Sequence, residues 1–383
     1  MGLTGTNGVG VFFYRSDLGH GSWTNTVSLR WNYAQDGLAS TSLVDVCVHA
    51  IEMVYVAQGS FAAGSGGSEN YPFTLTTINT NDASVAPSGT GSLGGQAGGY
   101  PTGETAPNAA WPNGWNAFYC MKYEISEGQW VDFFNTLTDG QKATRDITGS
   151  HATYGGKNSD GVVSRNTVAW TSGDATTAAR DRACGFLCWA DVGAYADWAG
   201  LRPMTELEFE KACRGLASPV ANEYAWGTAT APTALTSENN DGLGTSTPNP
   251  ANANCCCNNQ LQGPCRVGIF ATATSTRGQA GASYWGIMEL SGNLWERAVS
   301  IGTANGRAFT GLHGNGALAG GGDADVSLWP APATADGGGF RGGIWSLDAA
   351  CARASDRFNA AGVGANRDTY YGNGGGRAVR AAP

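Results

Sequence analysis

The sequence predicts an α+β domain built from short strands, few helices and long stretches of loop. Three observations carry this. Glycine occurs 58 times while charged residues make up only 14% of the chain, a balance that suits tight turns and aromatic packing rather than a helical bundle. Runs rich in β-branched and aromatic residues cluster near the start, bounded by turn residues. Farther along, two segments join a capping signal to an apolar face, as core-packed helices do.

Residues 11–56 read as β: VFFY (11–14), TVSLRW (26–31) and LVDVCVHAIEMVYV (43–56). From Ala57 to about Pro112 the chain is mostly Gly, Ser, Thr, Asn and Pro, hence loop with short strands. FYCMKYEIS (118–126) reads as a strand. Ser126 and Gln129 then form an S-x-x-Q capping box that opens a helix over 127–137, with Trp130, Phe133, Phe134 and Leu137 on one face. A second helix is expected over 186–200, stopped by Gly200. Pro203 ends that element, Thr205 and Glu208 form another capping box, and Gly215 closes the helix that follows. Residues 217–283 promise little regular structure, and no repeat of solenoid or propeller length occurs.

Lys and Arg total 22 against 31 for Asp and Glu, a formal charge of -9. No basic run is interleaved with aromatics, which argues against a nucleic-acid groove or an anionic membrane surface. No apolar window is long enough for a membrane span, and the start MGLTGTNGVGVFFYR shows no signal-peptide pattern. The expectation is therefore a monomer that is cytoplasmic or displayed on a virion or cell through another component. Of the ten cysteines, Cys255, Cys256, Cys257 and Cys265 crowd one stretch. Their spacing is not that of a zinc framework, and they are expected to be plain loop thiols.

The most unusual stretch is 341–380, RGGIWSLDAACARASDRFNAAGVGANRDTYYGNGGGRAVR. It mixes Trp, Phe, Tyr, Ile and Leu with Asp, Asn and Arg at neither strand nor helix period. A buried element would show a period, and a disordered tail would carry fewer large apolar side chains.

An ordered set of motifs now matters: IEMVYVAQGSFAAGS (51–65), YCMKYEISEGQWVDFFN (119–135), LRPMTELEFEKACRG (201–215), YAWG (224–227), WGIMELSGNLWE (285–296) and FRGGIW (340–345). Together they resemble the formylglycine-generating-enzyme, or sulfatase-modifying-factor, domain. The resemblance implies a C-type lectin fold of that type, loop-rich, with two helices and a strand hairpin near the C terminus. It covers 51–383, behind a small β-rich segment at 1–50.

The resemblance offers three uses. The oxidases of the family hold copper with two cysteines after a Gly-Gly-Ser turn, soft thiolates suiting Cu(I). Here Gly342-Gly343 is followed by one cysteine, Cys351, and Leu347 stands near where the first thiolate is expected. That argues against catalysis, with a divergent oxidase as the alternative. Sulfoxide synthases need three iron-binding histidines. This chain has only His20, His49, His151 and His313, none near another in sequence.

The third use is a variable protein of a diversity-generating retroelement, in which miscopied adenines rewrite chiefly Asn codons near the end of the gene. GGIWSLD, SDRFN and GVGANRDTYYGNGGGRAVR resemble such an altered region, at about 341–380. The resemblance then implies a non-enzymatic ligand-binding protein subject to massive sequence variation. Ile344, Ser346, Leu347, Asp348, Asp356, Phe358, Asn359, Val363, Asn366, Asp368, Tyr370, Tyr371 and Asn373 are expected to be exposed and variable. Trp345, Arg353, Arg357 and Arg377 are expected to be fixed scaffold. Aromatic anchors beside Ser, Asn and Gly are paratope-like, so the unknown ligand is expected to be a protein surface. ELSGNLWE resembles the family's calcium loop, which would make Glu289, Glu296 and the carbonyls of Gly292 and Leu294 ligands of a structural Ca2+. A purely bracing role for Glu296 remains the other reading, and no catalytic cofactor is expected.

Overall fold

In the computed structural model, residues 2–6, 10–15, 24–85, 87–88, 92–93, 96–97, 105–150, 154–362, 364–367 and 372–383 are described. Helix α1, Glu127–Asn135, begins at a complete capping box: the Ser126 hydroxyl accepts from Gln129 N at 3.2 Å, and Gln129 Oε1 accepts from Ser126 N at 3.0 Å. Its apolar face buries Trp130, Phe133 and Phe134. Phe133 meets Tyr195 and Trp198 of a later helix at ring-centroid distances of 5.7 and 5.4 Å.

A short helix missed in the sequence, α2 at Asp139–Arg145, opens on a second box between Thr138 and Gln141. Helix α3 spans Trp189–Trp198. It starts three residues later than expected because Phe186 sits at φ +64°, outside helical geometry. Helix α4, Glu206–Arg214, begins at the Thr205–Glu208 box and ends at Gly215, φ +68°. Among the described residues, four helices of at least seven residues thus stand where the resemblance implied two.

Two three-stranded sheets organise the rest. In one, Phe118–Met121 is the central strand, antiparallel to Met53–Val56 on one side and to Val379–Ala381 on the other. In the other, Glu296–Val299 pairs antiparallel with Gly338–Arg341 and parallel with Met204–Thr205. Smaller hairpins join Phe61–Ala63 to Thr76–Ile78 and Ser237–Asn239 to Thr247–Asn249. The α+β, loop-rich C-type lectin fold expected from the sequence is the observed one.

The first fifty residues depart from expectation. VFFY does form a strand, Gly10–Tyr14, paired with Gly2–Thr6. The Phe12 ring of that hairpin lies edge-on to Tyr119, with centroids 4.8 Å apart. TVSLRW and LVDVCVHA, by contrast, are not strands. Their β-branched composition favours extended backbone, but no strand among the described residues takes up their hydrogen bonds, and Leu43 and Val48 are 100% and 83% exposed. The sheet is entered only at Met53.

Every residue of α4 is buried, including Glu206, Glu208, Glu210, Lys211 and Arg214. Buried charges must be paired or their desolvation is not offset. This helix is therefore the place to look for what grips the C-terminal segment.

Candidate binding surface

Strand Gly338–Arg341 leads into Gly342 and Gly343, at φ +89° and +75°. A Cβ on Gly343 would lie 2.8 Å from the Ala352 backbone, so only glycine lets the returning chain pass here. The segment beyond is held by backbone. Trp345 N donates to Asn293 O at 2.8 Å, Asn259 N donates to Trp345 O at 2.7 Å, and Asn258 N donates to Leu347 O at 2.8 Å. The far end is held alike: Trp295 N donates to Asn373 O at 3.1 Å, and Leu187 N donates to Gly374 O at 2.9 Å. Such bonds do not depend on which side chains stand at Leu347 or Asn373.

Four buried arginines supply the remaining anchors. Arg341 reaches Glu206 at 3.1 Å and Glu210 at 2.9 Å. Arg357 takes both oxygens of Glu206 and lies over the Phe73 ring at 3.9 Å. Arg367 takes both oxygens of Asp191 at 2.6 and 2.7 Å and also donates to Asp146 O and Gly155 O. Arg377 binds Glu296 at 2.5 Å and donates to the carbonyls of Met121 and Lys122. Burial alone would raise the carboxyls of Asp191 and Glu210. The guanidiniums of Arg367 and Arg145 at Asp191, and of Arg341 and Arg214 at Glu210, outweigh it and hold both below the usual range.

The expected scaffold of Trp345, Arg357 and Arg377 is buried at 0–2% exposure. Arg353 is half-buried, with Nη1 3.4 Å from Asn222 Oδ1. Arg367 belongs with this scaffold and was missed. Its only sequence signal is its place one residue after an exposed Asn366, because its partner Asp191 stands 176 residues away.

Among the residues expected to be exposed, Asp348, Phe358 and Asn366 are exposed, while Ser346, Leu347, Asn359 and Asn373 are half-buried. Ser346 Oγ lies 3.3 Å from Asn373 Oδ1, so the two ends of the segment meet there. Two expectations are corrected. Ile344 is 3% exposed, turned inward between Gly343 and Trp345. Asp356 is 2% exposed because its carboxylate accepts from Asn70 N, Asn70 Nδ2 and Phe358 N, tying a distant loop to the segment. Val363, Asp368, Tyr370 and Tyr371 lie outside the described residues. Asn258, Asn259, Gln260 and Gln262, which the sequence did not single out, form an exposed loop beside Trp345 and Leu347.

The residues implied for calcium fit that ion poorly. Glu296 gives one oxygen to Arg377, and Glu289 gives one to Gly268 N at 2.9 Å. The other oxygen of each is buried without a hydrogen-bond partner, which a cation would relieve, but the Arg377 guanidinium already supplies the positive charge at Glu296. Gly292 N donates to Gly342 O, and Leu294 N donates to Glu124, so this loop braces the segment. Burial pushes the Glu289 carboxyl up to about 7. Among the described residues no group of three or more His, Cys, Asp or Glu is placed to hold a metal.

Cys351, at the place the resemblance implies for a copper thiolate, is not prepared for that role. Cys351 is half-buried, and burial, helped by Asp356 and Asp348, pushes its thiol up to about 11, away from the thiolate a soft metal needs. His49 lies against the Trp198 ring at 5.4 Å, and His313 Nε2 accepts from Ala381 N at 3.0 Å. His20 and His151 lie outside the described residues.

With this geometry in view, one comparison decides the family. The model of the sulfatase-modifying factor enzyme 1-like domain matches residues 42–380. The chain belongs to that family. No curated protein matches the sequence. Among solved structures it is similar to PvdO from Pseudomonas aeruginosa, at 19% identity, 88% of this chain, 96% of that chain and a TM-score of 0.43. It is also similar to Treponema denticola variable protein 1, at 12% identity, 86% of this chain, 95% of that chain and a TM-score of 0.39. Similarity this loose transfers no function to this member of the sulfatase-modifying factor family. No helix among the described residues is long and apolar enough to cross a membrane.

Proposed function

We propose that this chain is a non-enzymatic binding protein whose C-terminal surface is diversified by a retroelement and captures protein partners. The observation that carries this is the division of labour along 341–377. Buried Arg341, Trp345, Arg357, Arg367 and Arg377 alternate with less buried residues, and at Leu347 and Asn373 the chain is tied down through backbone carbonyls. A surface built this way accepts new side chains at Ser346, Leu347, Asp348, Phe358, Asn359, Asn366 and Asn373 without repacking the core. Val363, Asp368, Tyr370 and Tyr371 belong to the proposed set on sequence grounds. Ile344 and Asp356 do not touch a ligand in this reading.

A chain of net charge -9 disfavours polyanions. A large exposed aromatic, Phe358 at 47%, beside Asn and Asp side chains suits a protein surface. The oxidase alternative is disfavoured because one cysteine only, Cys351, follows Gly342-Gly343, and burial pushes its thiol up to about 11. Exchanging residues 344–376 for those of a sibling copy tests the binding reading. The captured protein should change while the circular dichroism spectrum stays the same. Unchanged capture would remove the segment from the binding site, and copper-dependent oxidation of a cysteine peptide would restore the enzymatic reading.

A further inference from the structure

The loop tied down by Asp356 carries an aromatic residue in a conformation that suits it badly. Tyr71 stands at φ +49°, in the left-handed region that a bulky side chain rarely enters, and Pro72 behind it narrows its choices further. Asn or Gly would fit that backbone at less cost. Burial does not explain the choice, since Tyr71 is 37% exposed. Such strain persists only where the surroundings hold it. Here the Tyr71 carbonyl accepts from Arg357 Nη1 at 3.4 Å, and the Asn70 carbonyl accepts from Arg357 N at 2.9 Å. Asn70 N and Nδ2 both donate to Asp356 Oδ2, at 3.1 and 2.7 Å, and the Arg357 guanidinium lies 3.9 Å from the centre of the Phe73 ring. Ser68 N donates to Asn222 Oδ1 at 2.9 Å, the same oxygen that Arg353 Nη1 meets at 3.4 Å. Residues 68–73 are thus clamped to 353–357. The residue that grips both Asn70 and Tyr71, Arg357, is followed directly by Phe358, which is 47% exposed.

We propose that Tyr71 is a fixed contact of the binding surface, meeting the same protein partner as the diversified segment and doing so in every sibling copy. Its ring offers a rigid apolar face, its hydroxyl offers a hydrogen bond, and neither carries charge. That chemistry fits a neutral patch of a protein surface with carbonyl or hydroxyl acceptors. The diversified neighbours then select which protein is held, while Tyr71 adds a part of the affinity that all copies share. The inference rests on the binding reading above. A strained residue kept for contact implies a trade: replacing it costs binding and not stability.

The test displays the full chain on yeast, randomised at Ser346, Leu347, Asp348, Phe358 and Asn359, and selects clones that bind lysozyme as a model protein partner. Tyr71→Asn, whose side chain tolerates positive φ, is then placed in several independent clones. Binding to lysozyme should weaken by about ten-fold or more in most of them, while the melting temperature stays the same or rises. Clones that bind equally well with Tyr71→Asn, or that lose melting temperature in step with binding, would overturn the proposal. A library that yields no lysozyme binder at all would remove the binding reading and the proposal with it, an outcome distinct from clones indifferent to Tyr71.

Discussion

Arg357 holds Glu206 in a two-pronged grip, Nε to Oε2 at 2.7 Å and Nη2 to Oε1 at 3.0 Å, across 151 residues of sequence. Both side chains are fully buried, and Arg341 shares the same carboxylate. Removing one partner of a buried pair leaves an uncompensated charge, worth about 3–5 kcal/mol. Arg357→Ala should therefore lose that much in urea unfolding. Phe358→Ser, one residue on, should stay within about 0.5 kcal/mol. Equal losses would mean that the outward residues are packing after all.

Trp345 fills the cluster formed by Leu261, Ile269, Phe270 and Leu294. Trp345→Ala should cost roughly 3–5 kcal/mol through the cavity it leaves. The double change Leu347→Ser with Asp348→Ser should be nearly neutral, since Leu347 is held through its carbonyl and Asp348 is exposed. Thermal melts of the two variants check the contrast.

The helices show what was legible and what was not. The starts of α1 and α4 could be read because Ser126–Gln129 and Thr205–Glu208 are local, three-residue signals. Thr138–Gln141 carries the same signal before α2, but DGQKATR has no apolar face to draw attention to it. The burial of Arg357 and Arg377 agrees with the scaffold role expected for them from residue type. That of Arg367 depends on Asp191, far away in sequence. Ile344 and Asp356 were misplaced because Ile and Asp suit a surface as well as an interior, and only the contact with Asn70 or the turn at Gly343 decides. The two false strands failed because composition cannot reveal whether a neighbouring strand exists.

The Glu289 carboxyl, pushed up to about 7 by burial, gives a pH test. An acid whose folded pKa is raised keeps its proton in the fold after the unfolded chain has lost it. Stability then declines as pH rises from about 4.3 to 7. Glu289→Gln removes that loss and keeps an oxygen for Gly268 N. It should stabilise by roughly 1–3 kcal/mol at pH 8 and make little difference at pH 4. If Glu289 instead ligated calcium, the same variant would destabilise in calcium buffer, and a chelator would lower the wild-type melting temperature.

Acid should act in the opposite sense on Asp191 and Glu210, whose carboxyls are held low by Arg367 and Arg341. Their contribution is present above the ordinary carboxylate range and is lost as pH falls through their depressed values. Asp191→Asn should therefore destabilise at pH 7 and converge on the wild type as both are acidified. A constant difference down to the acid limit would show that packing, not charge, holds Arg367.

The central claim is that one set of C-terminal positions varies freely on a scaffold that does not. Deep sequencing of this locus across many sibling copies measures that directly. Changes are expected to concentrate at Ser346, Leu347, Asp348, Phe358, Asn359, Val363, Asn366, Asp368, Tyr370, Tyr371 and Asn373, sparing Arg341, Trp345, Arg357, Arg367 and Arg377. Changes spread evenly along the 383 residues, or falling as often on those arginines as on their exposed neighbours, would contradict it.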